Sequence, residues 1–289
     1  DPSSPEFRAD LYGQALFSRF FTVQIRELLI AAREQAEADS TSLRLRLRVD
    51  AMAELTNTRW EYLFGADHQE FLALRKDAAF VRYLEHPNKA QPLHVKAPLV
   101  ILVVTATPSD LPSLDVEQEW HNLHEATREL LASRHVALER IEHATRETLA
   151  AKLKASNVHI LHFSGHGYFD PDKGTGGLVL EDRTRAMDMV SVEQLIPLIA
   201  NSNSLRIVFL NTCNGAQCSM GKSFSGLAQT LVRQGTPCVV AMQTPISDQG
   251  AICVSRHFYG ALCDGYAVDD ALTVARLAVA TLPRIGMEW

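Results

Sequence analysis

The sequence predicts an α/β protein, a mostly parallel sheet flanked by helices on both faces. Two observations predict it. After Pro98 the chain alternates strand-like and helix-like segments. The strand-like segments are apolar throughout, which marks strands buried on both faces and hence a parallel sheet. Pro98 to Pro108 reads as a strand ending in a turn, Leu114 to Ser133 as a helix and Val136 to Ile141 as a short strand. Thr145 to Ala155 is the next helix, and Val158 to Phe163 a near-continuous apolar strand. Gly176 to Asp182 reads as a hairpin arm, Val192 to Ala200 as a helix and Leu205 to Leu210 as a second apolar strand. Phe224 to Gln234 is helical, with Gly235 as its C-terminal stop. Pro237 to Met242 is a strand, and two helices fill the remainder.

Ahead of Pro98 the patterning differs. Leu16 to Ala36 reads as one amphipathic helix, with Phe17, Phe20, Phe21, Ile25, Leu28 and Leu29 at helical spacing. Leu43, Leu45, Leu47 and Val49 alternate with Arg44, Arg46 and Arg48, as a half-buried strand does. A short helix and the Arg59-Trp60-Glu61-Tyr62-Leu63 segment follow. Three prolines between His86 and Pro98 suggest a connector. The expected division is therefore residues 1–7 as an expression remnant or linker, 8–97 as a helical and strand portion packed on the core, and 98–289 as the core. The chain opens with Asp1 rather than Met, and is expected to be a fragment of a longer protein.

Composition narrows the function classes. With 28 Lys+Arg against 34 Asp+Glu, the net charge of −6 gives no basic footprint for nucleic acid. No apolar run reaches the roughly 20 residues of a membrane-spanning helix, and no signal peptide is evident. The cysteines are Cys213, Cys218, Cys238, Cys253 and Cys263. Their number is odd and no CxxC pair occurs, a poor framework for disulfides or zinc. A reducing cytoplasm, where a free thiol survives, is the expected compartment.

The chemistry gathers at two strand ends. His-Ile-Leu-His-Phe-Ser-Gly-His-Gly ends at Gly167, and Val-Phe-Leu-Asn-Thr-Cys-Asn-Gly-Ala ends at Ala216. Each is an apolar run that stops at a reactive residue, His166 in one and Cys213 in the other. In open parallel sheets, ligands sit beyond the carboxyl ends of the strands. An ordinary thiol is mostly protonated at neutral pH, so Cys213 needs a base; His166 can take its proton and return it to a leaving amine. Gly165 and Gly167 give the chain room to turn. The Gly167 and Cys213 N–H groups are then candidate donors to a developing oxyanion. His162 reads as a packing or hydrogen-bonding residue, and His121 and His124 as solvated. His162 and His166 do not form a helical zinc pair, because Ser164-Gly165 interrupts them. Gly215 to Ser223 approaches a phosphate-binding loop, but its first glycine stands one position too early, where Ala216 would have to be Gly. No metal site and no cofactor are expected.

At this point the sequence resembles the CHAT domain, a largely bacterial branch of the caspase-like peptidases that also include separases and paracaspases. Spacing agrees: the caspase signature puts its histidine about 50 residues ahead of the cysteine, as His166 stands ahead of Cys213. The resemblance runs from about Leu43 to Ala280. It includes Arg59 to Leu63, the strand and helix around Pro98 to Glu119, the two reactive strings, and Phe224 to Ala228. Thr212, Asn214 and Met242-Gln243 depart from the family's commoner residues, which bears on substrate preference. The resemblance implies a regulated effector acting on a protein substrate in bacterial defence or cell death, gasdermin-like proteins among the candidates. It also implies an upstream sensor domain or partner; from charge and hydropathy, neither nucleic acid nor membrane is expected to be engaged directly. Asp248 either lines the pocket for a basic residue, as an acidic residue does in separases, or caps the helix near Gln249. Trp60 and Glu61 read as structural, a buried aromatic and a paired carboxylate. The remaining readings are a catalytically silent caspase-like scaffold and a nucleotide-binding module.

Overall fold

The computed structural model of the chain describes residues 7–48, 55, 58–65, 69–84, 96–170, 175–200, 202–211, 223–242, 246–282 and 289. Its centre is a five-stranded parallel sheet. The strands are β5 (Leu99–Thr105), β6 (Val136–Ile141), β7 (Ile160–Ser164), β11 (Ile207–Asn211) and β12 (Cys238–Ala241). They are ordered β12-β11-β7-β5-β6, so the two strands that lead to His166 and Cys213 are neighbours. All pairings within it are parallel.

Alternation within the apolar strands sorts the two faces. Leu102, Val104, Leu161, Phe163, Val208 and Leu210 face helices α4 (Arg146–Ala155), α5 (Val192–Ala200) and α6 (Ser223–Arg233). Ile101, Val103, Ile160, Ile207 and Phe209 face α3 (Val116–Ala132), α7 (Asp248–Cys263) and α8 (Val268–Ala280). This is the expected layered sheet, with both faces covered. Local signals fix the helix ends. Asp115 caps α3 by accepting from the Gln118 N–H, Thr145 and Thr148 form a capping box at α4, and Gly235 follows α6 with φ +112°.

A second, antiparallel sheet follows His166. It comprises β8 (Gly167–Asp170), β9 (Thr175–Glu181) and β10 (Met187–Ser191), in the order β10-β9-β8. The expected hairpin arm is its middle strand.

The N-terminal portion departs from expectation at its first helix. The stretch read as one helix is two, α1 (Ala9–Phe20) and α2 (Val23–Ala38), separated at Phe21-Thr22, and the short helix expected ahead of Arg59 falls mostly outside the described residues. Thr22 is extended, and its hydroxyl accepts from the Ile25 N–H, which starts a new helix. Phe17 is buried with Trp60, Leu63 and Phe80, whereas Ile25 and Leu28 are exposed and α2 buries none of its residues. The apolar spacing that joined the two segments in sequence is not a common core face. Strand β1 (Leu43–Arg48) shows the expected alternation and pairs in parallel with β4 (Ala78–Tyr83). The short pair β2 (Phe64–Gly65) and β3 (Glu70–Phe71) lies between them in the chain.

Trp60 and Glu61 are structural, as expected. Trp60 is buried, and Glu61 receives twin hydrogen bonds from Arg82 on β4, at 2.9 and 2.6 Å. Arg276 on α8 donates to the Phe80 carbonyl at 3.2 Å, tying this portion to the main sheet's outer helix.

Candidate active site

His166 lies two residues beyond the end of β7 and is almost wholly buried. Its Nε2 is 2.8 Å from the Pro112 carbonyl oxygen. A carbonyl only accepts, so Nε2 is the donor here, and in the neutral form of the imidazole Nδ1 is the nitrogen that can accept. Pro112 belongs to the loop between β5 and α3, and that loop is tethered at several points. The Thr107 N–H donates to the buried Glu181 carboxylate at 2.7 Å, the Ser109 N–H to the Arg185 carbonyl at 2.8 Å, and the Met187 N–H to Asp110 at 2.9 Å. The β9–β10 hairpin thus fixes the loop that orients the histidine.

Gly165 is required by space. A Cβ there would stand 2.6 Å from the Phe163 ring and 3.1 Å from the Ala106 carbonyl oxygen. Gly167 opens β8 opposite Leu178, and the Val179 N–H donates to the His166 carbonyl. That pattern makes Gly167–Leu178 a non-hydrogen-bonded pair, so the Gly167 N–H points away from β9 and is not used by that ladder.

Cys213 lies outside the described residues, as do Gly215 and most of the loop resembling a phosphate-binding one. What is described is its approach. Ser164 and Asn211 are register partners in the β7–β11 ladder. The chain therefore leaves adjacent strands at the same level, two residues before His166 on one and two before Cys213 on the other.

Asp248 is the first residue of α7 and is exposed. The cap of this helix is Ser247, whose hydroxyl accepts from the Gly250 N–H at 3.1 Å, so the capping role weighed for Asp248 falls to its neighbour. The same helix turn meets the candidate site: the Ala251 carbonyl accepts from the Asn211 amide at 3.2 Å. Asp182 serves the β9–β10 turn, accepting from the Thr184 and Ala186 N–H groups. His121 and His124 are exposed on α3.

The feature that sequence reading missed lies just beneath the strand ends. Glu119 on α3 is buried and charged. Burial alone would raise its carboxyl, but His162 and hydrogen bonds from Ser164 and Asn211 hold it below the ordinary range. His162 Nε2 lies 2.8 Å from Glu119 Oε1, and its Nδ1 lies 3.0 Å from the Tyr259 hydroxyl. Ser164 donates to Oε2, Asn211 to Oε1, and Ser255 to Oε1 at 2.8 Å. His162 is a hydrogen-bonding core residue, as expected. Polar residues at every second position of otherwise apolar strands (His162 and Ser164 on β7, with Asn211 ending β11) were the available signal for a buried polar partner.

A family model described as the CHAT domain matches residues 10–286. The chain belongs to the CHAT domain family. This caspase-like family accounts for nearly its whole length. No match is found among curated proteins. Among solved structures, the A domain of carboxylic acid reductase from Segniliparus rugosus, in complex with AMP and a co-purified carboxylic acid, is similar at 13% identity. The similarity covers 56% of this chain and 19% of that one, with a TM-score of 0.29. A likeness so slight carries no argument. Among the described residues no helix is long and apolar enough to cross a membrane, and no cluster of His, Cys, Asp and Glu could hold a metal ion.

Proposed function

We propose that this CHAT domain is a cysteine endopeptidase in which Cys213 and His166 hydrolyse peptide bonds through a thioester. The observation that carries the reading is the shared level of the two strand ends, joined to the orientation of His166. Its Nε2–H is committed to the Pro112 carbonyl and Nδ1 remains to accept a proton. In the proposed cycle Nδ1 takes the Cys213 thiol proton, and the thiolate attacks the substrate carbonyl carbon. Gly167 and Cys213 N–H groups stabilise the oxyanion. The C–N bond breaks as the Nδ1 proton passes to the leaving amine. Water, deprotonated by the same nitrogen, then releases the acid and restores the thiol.

Asp248 is the proposed selector of a basic residue before the cut bond, presented from the helix turn that contacts Asn211. The family suggests a regulated effector of bacterial defence acting in a reducing cytoplasm, under an upstream sensor or partner, with a gasdermin-like protein among the substrates to be tried. Neither metal nor cofactor is needed for the proposed chemistry.

The test incubates the chain and Cys213→Ala with a diverse peptide library and identifies new termini by mass spectrometry. Cuts that vanish in the variant support the reading, and a basic residue before them supports Asp248. Cuts that persist in Cys213→Ala sink it. No cuts, together with Cys213 labelling by a thiol probe that His166→Ala leaves unchanged, would mark a silent scaffold.

A further inference from the structure

The Glu119 carboxylate is the meeting point of four donors drawn from three elements: His162 and Ser164 from β7, Asn211 from β11, and Ser255 from α7. Ser164 and Asn211 matter most. They are the last residues of their strands and register partners, and each stands two residues before a member of the reactive pair. We propose that Glu119 is a positioning residue: by binding the Ser164 hydroxyl and the Asn211 amide at once, it fixes the spacing between the strand ends that carry His166 and Cys213. The inference rests on the peptidase reading above.

Three observations favour positioning over simple adhesion. The two oxygens divide the work, Oε2 toward β7's last residue and Oε1 toward β11's, so one rigid planar group bridges two strand ends. The Asn211 amide nitrogen is shared among Glu119, Ser255 at 2.9 Å and the Ala251 carbonyl at 3.2 Å, which fixes its orientation. Its Oδ1 is buried and has no hydrogen-bond partner among the described residues, so the hold on this amide runs through its nitrogen. The rest of the cluster holds Glu119 itself. His162 is stacked on Phe209 with ring centroids 4.9 Å apart and is braced by Tyr259, so the carboxylate sits against a rigid wall.

The experiment measures iodoacetamide labelling of Cys213, resolved from the other cysteines by peptide mass spectrometry, across the pH range of thiol ionisation. The full chain is compared with Glu119→Gln, Ser164→Ala, Asn211→Ala, the Ser164→Ala/Asn211→Ala double variant and His166→Ala. Leu153→Ala, a core change on the opposite face of the sheet, serves as the destabilised control. A small misplacement of reacting groups costs up to about a hundredfold, so Glu119→Gln is expected to slow labelling by about ten- to a hundredfold. The pH midpoint should rise toward that of an ordinary thiol as Cys213 loses its close partner. The double variant should lose less than the product of the single losses, because both act through one carboxylate. Leu153→Ala should lower Tm and leave the midpoint unmoved.

A folded Glu119→Gln with the wild-type rate and midpoint would overturn the inference, as would strictly multiplicative losses in the double variant. If Glu119→Gln fails to fold, Ser164→Ala, which removes one hydroxyl, decides by the same two readouts. Labelling in the unaltered chain that ignores His166→Ala would bring down the peptidase reading and this inference with it. Labelling that depends on His166 but not on Glu119, Ser164 or Asn211 would bring down the inference alone.

Discussion

Replacing Glu61 with Gln should cost about 3 kcal/mol at neutral pH and progressively less in acid. Burial alone would raise the Glu61 carboxyl. The Arg82 charge and its hydrogen bonds, with Arg276 nearby, lower it instead from 4.5 to about 2. At about 1.4 kcal/mol per pH unit, that fall corresponds to about 3 kcal/mol of folding free energy. The sign follows from the depressed value. The unfolded chain binds the proton more readily, so the contribution is complete above pH 4.5 and is lost as pH drops toward about 2. Both partners are largely shielded, with side-chain exposures of 17% for Arg82 and 12% for Glu61, so solvent screening removes little of it. Against a typical domain stability of about 5–15 kcal/mol this is a large share. Urea unfolding of the wild type and Glu61→Gln at a series of pH values measures it, with the difference in midpoint converted through a common slope. Other carboxyls titrate over the same range, so the quantity to follow is the gap between the two proteins. A gap that stays constant with pH, or that is absent at neutral pH, would refute the linkage argument.

Four further outcomes are expected. Gly165→Ala should lower stability by about 1–3 kcal/mol, because the Phe163 ring must move, and should slow Cys213 labelling; an unchanged Tm would contradict the packing described. Phe209→Ala, emptying a fully buried site beside His162, should cost about 3–5 kcal/mol in urea unfolding, and a loss below 1 kcal/mol would mean that the site collapses. Ser247→Ala should cost about 1 kcal/mol as a lost helix cap. Asp248→Asn should cost about 0.5 kcal/mol and relax any preference for a basic residue before the cut. If thermal melts rank these two changes in reverse order, the cap has been misassigned.

The main sheet was legible in the sequence because its strands are apolar on both faces and alternate with helical segments, one of them stopped by Gly235. The break between α1 and α2 was not. Ile25 and Leu28 continue the spacing of Phe17 and Phe21, and only the single Thr22 marks a new helix start. Strand β4 went unread because its partner β1 is distant in sequence, and parallel pairing leaves no local turn signal. At the candidate site, His166 could be named from the string in which it sits, but its partner could not, since a backbone carbonyl has no residue type. Glu119 is a position of the family resemblance, but its role was hidden for a different reason. It lies among other acidic residues of α3, including Glu117, Glu125 and Glu129, and the packing of that helix on the sheet is what shows it to be the buried one.

The bond from His166 to Pro112 has a consequence for how this site would look to a geneticist. The acceptor is main chain, and every amino acid at position 112 would supply it. Side-chain scanning would therefore score the histidine and pass over what holds it. The dependence would surface only through changes that reroute the path itself: a deletion between Thr107 and Asp115, or loss of the Glu181 carboxylate that grips the Thr107 amide. Variants of that kind would mimic damage at His166 while leaving every residue of the reactive pair intact.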